Sequence, residues 1–129
     1  MENLLANKKI LWVEDDVFLS DIVARKMSNL NAQLLHAVDS AQTFELLEKE
    51  TPDLIVLDIL LPGMSGYEIL EKIKSDPKTK DIPVIILSNF GQKSEVDKGL
   101  SMGAVRYLIK ATLTLDEILE EVTKSIKNI

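Results

Sequence analysis

Residues 53–63 read DLIVLDILLPG, an apolar run that ends in an acid and is followed by a Pro-Gly turn. The four apolar residues at 54–57 include β-branched isoleucine and valine, which predicts a buried β-strand. Asp58 stands at the carboxyl end of that strand. An acid there contributes little to packing, so its importance depends on the residues that other parts of the chain bring beside it.

Strand-like and helix-like segments alternate five times along the chain. The predicted strands are residues 8–13, 34–38, 54–57, 82–87 and 105–109. Apolar spacing, capping signals and breakers predict helices at 17–30, from Ser40 to the Pro52 stop, from a capping box at Ser65 to the break at Ser75, at 93–102, and from a capping box at Thr114 onward. Most of the strands are apolar throughout, as expected where helices cover both faces of a sheet. The predicted fold class is therefore α/β, with a doubly wound, five-stranded parallel sheet.

The second and fourth helices have distinctive residues at their start and on their apolar face, respectively. Ser40 is expected to be the N-cap of the second helix. The fourth helix has only a thin apolar stripe, Val96 and Leu100, with Gly99 inside it. Since glycine weakens a helix, this helix is predicted to be the least firmly held.

The composition is that of one ordinary globular domain. The chain has 129 residues, of which 46% are hydrophobic and 28% are charged, and it has no cysteine. The net charge of −6 argues against direct binding to nucleic acid through phosphates. Neither a signal peptide nor a membrane-inserted segment is expected. We expect residues 1–129 to form a single domain, with 1–7 as a short leader and no output domain.

Polar groups follow four of the predicted strands. The acids at 14–16 follow the first strand, Asp58 the third, Ser88 the fourth and Lys110 the fifth. In open α/β sheets the ligand site lies beyond the carboxyl ends of the strands, so these groups should converge. Each has an ordinary structural explanation when taken alone; Asp16, for example, is more simply the N-cap of the first helix. The case for function rests on their occurring together.

The chemistry indicated by these groups is phosphoryl transfer with a hard divalent cation. Glu14, Asp15 and Asp58 would repel one another when packed together, and a bound Mg²⁺ would offset that repulsion. An ionised Asp58 could then attack phosphorus to form an aspartyl phosphate. Ser88 and Lys110 could share the charge of the phosphoryl oxygens.

With these groups in place, the sequence resembles the receiver domain of two-component response regulators over nearly its whole length. The resemblance rests on the acids after strands one and three, on Ser88 and Lys110, and on the segment 61–66 (LPGMSG), Gly103-Ala104 and Tyr107. It implies a flavodoxin-like (βα)5 fold with the strand order 2-1-3-4-5.

The resemblance also implies roles for the acids. Asp58 would be the phosphoacceptor, receiving its phosphoryl group from a histidine kinase or a His-phosphotransfer protein in a phosphorelay. Asp15 and Asp58 would bind Mg²⁺ (or Mn²⁺) directly, Glu14 would act through water, and the backbone carbonyl of Leu60 would complete the protein ligands.

The remaining implied roles concern the switch. Ser88 and Lys110 would contact the phosphoryl group, and Tyr107 would turn inward when Ser88 moves. The face formed by helix four, strand five and helix five would then bind a downstream protein target. The resemblance implies a cytoplasmic signalling protein, either a monomer or a phosphorylation-dependent dimer. It would not be an enzyme with an external substrate, since its only reactions would be self-directed phosphotransfer and autodephosphorylation.

The sequence departs from the family at several positions. Ala111 follows Lys110, where the family usually has a proline in cis; because a non-proline cis bond costs roughly 2.5–4 kcal/mol, we predict a trans bond or a strained cis one. Leu60 and Phe90 are apolar at positions that tune phosphoryl lifetime in the family, and we expect them to limit attacking water. Asn89 is larger than usual beside Ser88 and is expected to narrow the space for its movement.

His36 is the single histidine of the chain. It falls on the peripheral second strand, so we predict that it lies far from Asp58 and is neither a phosphodonor nor a metal ligand.

Two other phosphate chemistries fit the sequence poorly. A haloacid-dehalogenase-type phosphatase requires a second aspartate two residues after the first, where this chain has Leu60. A P-loop or dinucleotide site requires a glycine-rich loop after strand one, and none is present. A receiver-like interaction module that works without phosphorylation is the open alternative, although the intact set of site residues argues against it.

Overall fold

The computed structural model describes residues 5–127, in which five β-strands alternate with five α-helices. The strands are β1 (Lys9–Val13), β2 (Gln33–Ala37), β3 (Leu54–Leu57), β4 (Val84–Ser88) and β5 (Arg106–Ile109). The helices are α1 (Val17–Asn29), α2 (Ser40–Lys49), α3 (Gly66–Ser75), α4 (Lys93–Ser101) and α5 (Leu115–Lys127). A short 3₁₀ helix, Lys110–Thr112, lies between β5 and α5.

The five strands form one parallel sheet in the order β2-β1-β3-β4-β5. This confirms the predicted fold class and the strand order implied by the resemblance. In the register, Val13 pairs with Leu57 and Leu57 with Ile86. The carboxyl ends of β1, β3 and β4 are therefore aligned, so the polar residues that follow them meet at one edge.

The core lies in two layers, one on each face of the sheet. Successive residues of a strand point to opposite faces, so Ile10 and Trp12 pack toward α1 and α5, while Leu11 and Val13 pack toward α2 and α3. All four are 1% exposed or less. Burying an aliphatic side chain fully contributes roughly 1.5–3 kcal/mol, which is why these strands are apolar throughout.

The predicted N-terminal cap is confirmed for α5 and wrong by one residue for α2. At α5, Glu117 N–H donates to Thr114 Oγ1 at 3.1 Å and Thr114 N–H donates to the Glu117 carboxylate at 2.9 Å, which confirms that capping box. At α2 the prediction was wrong by one residue: Asp39 is the N-cap and accepts from Gln42 N–H at 2.9 Å, and Ser40 is the first helical residue. Both side chains can cap a helix, and only the backbone geometry separates them.

The fourth strand begins two residues later and ends one residue later than predicted. Ile82 belongs to a turn, in which its N–H donates to the carbonyl of Thr79, and Pro83 has no N–H to give to the sheet. The strand begins at Val84 and ends at Ser88, which pairs with Ile109 of β5. Ser88 is therefore part of the sheet rather than of the loop after it.

Helix α4 buries few of its own side chains, and its predicted apolar stripe is only partly correct. Val96 is half-buried, but Leu100 is 43% exposed, and Gly99 is the only buried residue of the helix. A Cβ on Gly99 would lie 2.5 Å from Ile86 Cδ1 and 3.0 Å from the Tyr107 ring. The helix thus approaches the sheet through backbone, because a larger side chain has no room there.

Part of the predicted leader packs against the domain. Leu5 is 2% exposed, and Asn7 N–H donates to the carbonyl of Asn31 at 2.9 Å. Residues 1–4 of that leader lie outside the described residues. Within 5–127, none of the helices has the length and apolar character needed to cross a membrane.

Candidate functional site

The carboxyl ends of β1, β3, β4 and β5 border an open cleft of about 510 Å³. All five site residues predicted from strand ends line it, namely Glu14, Asp15, Asp58, Ser88 and Lys110. The rim of the cleft is apolar and includes Leu60, Leu61, Pro62 and Phe90. The structure therefore brings the predicted charged groups together inside an apolar border.

Asp58 follows β3 directly and is 7% exposed. Its N–H donates to the carbonyl of Val13 at 3.0 Å, which fixes the residue against the end of β1. Its Oδ2 accepts from the Lys110 ammonium at 2.9 Å, and its Oδ1 accepts a longer bond of 3.3 Å from Leu60 N–H. The carboxylate is thus oriented by one cation and one backbone amide.

Gly66 lets α3 begin directly beside this acid. Its N–H donates to the carbonyl of Ile59 at 2.8 Å, and a Cβ at this position would collide with the carbonyl oxygen of Asp58. Ser65 caps the helix, accepting from Glu68 N–H at 3.3 Å. The glycine in the segment 61–66 is therefore required by close backbone approach.

Glu14 is the most deeply buried acid of the cleft, at 1% exposed. Its Oε1 lies 2.6 Å from Lys110 Nζ. Burial, followed by its hydrogen bond with Asp58, raises the pKa of Glu14 to about 7, although Lys110 acts in the opposite direction. In the absence of a further cation, Glu14 therefore holds a proton up to near-neutral pH.

Lys110 lies between the two buried acids. It is the first residue of the 3₁₀ helix after β5, and its ammonium pairs with both Glu14 and Asp58. Burial alone would lower the pKa of Lys110, but hydrogen bonds and charges from the two acids raise it above its usual value. The Lys110–Ala111 peptide bond is trans, which is the first of the two predicted alternatives, a trans bond or a strained cis one.

The acids of the cleft are suited to a hard divalent cation. Glu14, Asp15 and Asp58 each offer a carboxylate oxygen, and these oxygens lie within 4.8 Å of one another. Among the described residues, no well-aligned hydrogen bond reaches the buried Oε1 of Glu14. A single lysine therefore leaves this acidic cluster incompletely satisfied, and a set of oxygen donors is what Mg²⁺ and Mn²⁺ prefer.

Ser88 and Tyr107 are joined through one residue, Phe90. Ser88 is 1% exposed, and its Oγ accepts from Phe90 N–H at 3.0 Å. The half-buried Tyr107 donates its hydroxyl to the carbonyl of Phe90 at 2.8 Å. A movement of the β4–α4 loop at Phe90 would change both hydrogen bonds together. The larger neighbour, Asn89, is exposed and lines the cleft.

A contact between α3 and α4 was missed by the sequence reasoning. The hydroxyl of Tyr67 donates to the carboxylate of Glu95, and Lys98 Nζ lies 4.2 Å above the Tyr67 ring. Burial, then the hydrogen bond with Glu95, raises the pKa of Tyr67, so the hydroxyl keeps its proton. The apolar spacing predicted that Tyr67 faces inward, but it carried no signal for its partner.

A backbone contact of His36 was also missed by the sequence reasoning. His36 was predicted to lie far from Asp58, and that stays a prediction, but its Nε2 lies 2.8 Å from the carbonyl oxygen of Glu14 and 2.9 Å from Ser20 Oγ. The register of β1 against β2, in which His36 pairs with Trp12, brings the ring to the start of the acidic loop. A sequence pattern carries no signal for a contact with a backbone carbonyl, since every residue has one.

The family model for the response regulator receiver domain matches residues 10–123. The chain belongs to this family. Among curated relatives, the probable transcriptional regulator ycf27 of Galdieria sulphuraria is 34% identical over 110 residues, which are 85% of this chain and 42% of that protein. The chain spans less than half the length of the first curated relatives, several of which are transcriptional regulators.

Solved receiver domains have the same fold. The receiver domain of the Francisella response regulator 1452 superposes with a TM-score of 0.86 at 26% identity, covering 95% of this chain and 98% of that one. The receiver domain of sensor histidine kinase PA1611 from Pseudomonas aeruginosa PAO1 superposes with a TM-score of 0.82 at 23% identity, covering 95% and 99%. That structure has a magnesium ion coordinated in its active site cleft. The acidic cluster of Glu14, Asp15 and Asp58 fits a receiver-domain metal site.

Proposed function

We propose that this receiver domain is a phosphorylation-dependent signalling switch whose phosphoacceptor is Asp58. The observation that carries the proposal is the Lys110 ammonium paired with both Glu14 and Asp58 at the base of an acidic cleft. The phosphodonor would be a histidine kinase or a His-phosphotransfer protein, and the output would be altered binding of a downstream protein.

The chemistry follows from the arrangement of the side chains. An oxygen of the Asp58 carboxylate would form the new bond to phosphorus while the bond from phosphorus to the donor histidine nitrogen breaks. The electron pair of the broken bond would stay on that nitrogen, and the imidazole would regain a proton from solvent. Glu14, Asp15, Asp58 and the Leu60 carbonyl would hold Mg²⁺, or Mn²⁺, which would neutralise phosphoryl charge. Lys110 then transfers part of its contact from the carboxylates to a phosphoryl oxygen.

Ser88 is suited to sense the phosphoryl group. Its hydrogen bond with Phe90 uses a lone pair of Oγ, which leaves the hydroxyl hydrogen for a phosphoryl oxygen. Drawing Ser88 inward would pull on Phe90 and loosen the bond that holds Tyr107. The outward-facing Leu100 and Val105, 43% and 50% exposed, belong to the α4–β5–α5 side that would respond.

The available energy is consistent with a partial shift between two states. Charge-assisted hydrogen bonds contribute roughly 1.5–3 kcal/mol each, and two of them approach the roughly 5.5 kcal/mol needed to move a state from 1:99 to 99:1. Desolvation of Ser88 and Lys110 subtracts from that sum. We therefore expect phosphorylation to bias α4 rather than to lock it.

Apolar residues around the cleft support docking of a protein phosphodonor. Val17 and Phe18 at the start of α1 are 65% and 78% exposed, and Leu60 and Phe90 on the rim are 71% and 42% exposed. Large apolar side chains grouped around a charged cleft are typical of a surface that a protein partner covers. These four residues would surround the donor histidine while it approaches Asp58.

Acetyl phosphate provides the direct test of the acceptor. Incubation with acetyl phosphate and Mg²⁺ should add the mass of one phosphoryl group to the intact protein, and chelation of Mg²⁺ should prevent it. Asp58→Ala should show no gain, because the nucleophile is gone. Asp21→Ala, which removes an exposed acid of α1, is the matched control and should gain the same mass as the parent. No gain in the parent, or an equal gain in Asp58→Ala, would favour an interaction module that works without phosphorylation.

The apolar rim leads to a prediction about the lifetime of the phosphorylated state. Leu60 lines the cleft and cannot hydrogen-bond an attacking water, whereas the amide of Asn at this position can. Leu60→Asn should therefore hydrolyse its phosphoryl group about fivefold faster, the equivalent of one hydrogen bond of about 1 kcal/mol. The loss of phosphoryl mass over time measures this rate. Leu100→Asn, an exposed leucine on α4, should match the parent, and slower hydrolysis in Leu60→Asn would contradict the prediction.

A further inference from the structure

The acidic loop 14–16 is held through its backbone by two polar side chains that the proposed chemistry does not use. His36 Nε2 lies 2.8 Å from the carbonyl oxygen of Glu14 and 2.9 Å from Ser20 Oγ. Ser20 Oγ in turn donates to the carbonyl of Asp16 at 2.9 Å. The two carbonyls that flank Asp15 are therefore both bound, from β2 on one side and from α1 on the other.

The direction of each hydrogen bond is set by the groups involved. A carbonyl oxygen can only accept, so His36 must carry a hydrogen on Nε2 to bond to Glu14. Ser20 uses its single hydrogen on the carbonyl of Asp16, and its oxygen is left to accept from the same Nε2–H. The chain of bonds thus runs from the histidine to the loop in one consistent sense, and it fixes the tautomer of the ring.

Such a clamp has a physical purpose at this loop. Glu14, Asp15 and Asp16 are consecutive acids, and in the ionised form that cation binding requires, their mutual repulsion favours conformations in which the side chains separate. Glu14 N–H is bound to the carbonyl of Ala37, but Asp15 is exposed, and within residues 5–127 it is held through its neighbours. Fixing the carbonyls on either side of Asp15 limits the rotation that would carry its carboxylate away from Asp58.

We propose that His36 and Ser20 are positioning residues for the cation site, which hold the backbone of residues 14–16 so that the Glu14 and Asp15 carboxylates stay near Asp58. This inference rests on the proposed function, since it concerns the same cleft. Neither residue would contact the cation or the phosphoryl group directly. Both act through main-chain carbonyls.

The test compares binding of Mn²⁺ with stability in matched variants. Bound Mn²⁺ is counted from the loss of the free-ion signal in electron paramagnetic resonance, with no phosphodonor present, and stability is measured by urea unfolding without divalent cations. His36→Phe keeps the ring shape and removes the donor. His36→Gln restores an N–H near the position of Nε2. Ser20→Ala removes the side-chain bond to the carbonyl of Asp16 and leaves the backbone bond from Ser20 N–H to the same carbonyl. Thr79→Val removes a buried hydroxyl that bonds to Ile73, away from the cleft.

We expect His36→Phe to bind Mn²⁺ about 10-fold more weakly than the parent, the lower end of the loss seen when groups that orient metal ligands are removed. Ser20→Ala should lose affinity in the same direction, and His36→Gln should recover most of the affinity lost in His36→Phe. Thr79→Val should lose stability without losing affinity. That contrast separates positioning of the site from a general loss of packing.

Three results would overturn the inference. Equal Mn²⁺ affinity in the parent and all variants would overturn it alone and leave the proposed function standing. A loss in His36→Phe that His36→Gln fails to reverse would show that the donated hydrogen bond is not what matters. Absence of Mn²⁺ binding in the parent itself would overturn both the inference and the metal site of the proposed function.

Discussion

Lys110→Met is expected to slow phosphorylation of Asp58 by about 10- to 100-fold while leaving divalent-cation binding at least as strong as in the parent. The ammonium of Lys110 is the one side-chain cation that contacts both Glu14 and Asp58 among the described residues. A charge-assisted hydrogen bond to a phosphoryl oxygen contributes roughly 1.5–3 kcal/mol, which corresponds to that range of rates. Methionine keeps the length and apolar character of the side chain without its charge.

The undiminished cation binding and the slower phosphorylation have different causes. Lys110 and a divalent cation compete for the same carboxylates, so removal of the lysine leaves those oxygens to the metal. The phosphoryl group, by contrast, loses a contact that the metal does not replace. The rate of mass gain from acetyl phosphate measures phosphorylation, and Mn²⁺ titration measures cation binding.

A surface lysine provides the control. Lys49→Met removes an ammonium on α2 whose side chain is 68% exposed and which, in the part of the chain that the structure describes, pairs only with Glu45. This variant should phosphorylate and bind metal as the parent does, because exposed ion pairs of this kind contribute little. Phosphorylation of Lys110→Met at the parent rate would show that Lys110 has no part in the transfer. A loss of both phosphorylation and metal binding would point instead to collapse of the cleft.

The second large effect is on stability as a function of pH. In the absence of divalent cations, the free energy of unfolding should fall as the pH rises between about 4.5 and 7. The unfolded chain releases the Glu14 proton near 4.5, while the folded protein keeps it until about 7, because of burial and the hydrogen bond with Asp58. The folded state therefore binds more protons in this window, and its stability decreases with rising pH by about 3 kcal/mol in total.

A divalent cation should reverse this trend. Its binding requires the ionised form of Glu14, so Mg²⁺ should stabilise the protein more at pH 8 than at pH 5.5. Urea unfolding at several pH values, with a chelator and then with Mg²⁺, measures both effects. Glu14→Gln is the control, since it has no proton to release and should remove most of the slope. A parent slope equal to that of Glu14→Gln would contradict the assignment to Glu14.

The sequence predicted the fold well because the information was local and repetitive. The alternation of short apolar strands and amphipathic helices, with turn residues between them, is sufficient for a parallel α/β sheet. The gathering of Glu14, Asp15, Asp58, Ser88 and Lys110 followed from the same topology, since parallel strands end at one edge. The predicted cap of α2 at Ser40 and the predicted start of the fourth strand at Ile82 were wrong by one and two residues. At both places the neighbouring residue fits the same position in the pattern, so only the backbone geometry decides.

The contacts that sequence reasoning missed depend on tertiary geometry. His36 binds a backbone carbonyl, Tyr67 meets Glu95 from another helix, and Gly99 serves close approach rather than flexibility. None of these has a local pattern. The stripe predicted for α4 failed for a related reason: the helix lies against the sheet through Gly99, and Leu100 is left on the outer side.

The contact of α4 at Gly99 has a consequence for the speed of signalling. Side chains that interlock must withdraw from one another before a helix can move, and that withdrawal raises the barrier between two positions. At Gly99, α4 presents a smooth backbone surface to Ile86 and Tyr107. Displacement along this surface requires the exchange of a few hydrogen bonds, chiefly those of Tyr67 with Glu95 and of Tyr107 with Phe90. The proposed displacement of α4 should therefore occur in microseconds to milliseconds, the range of collective helix motions.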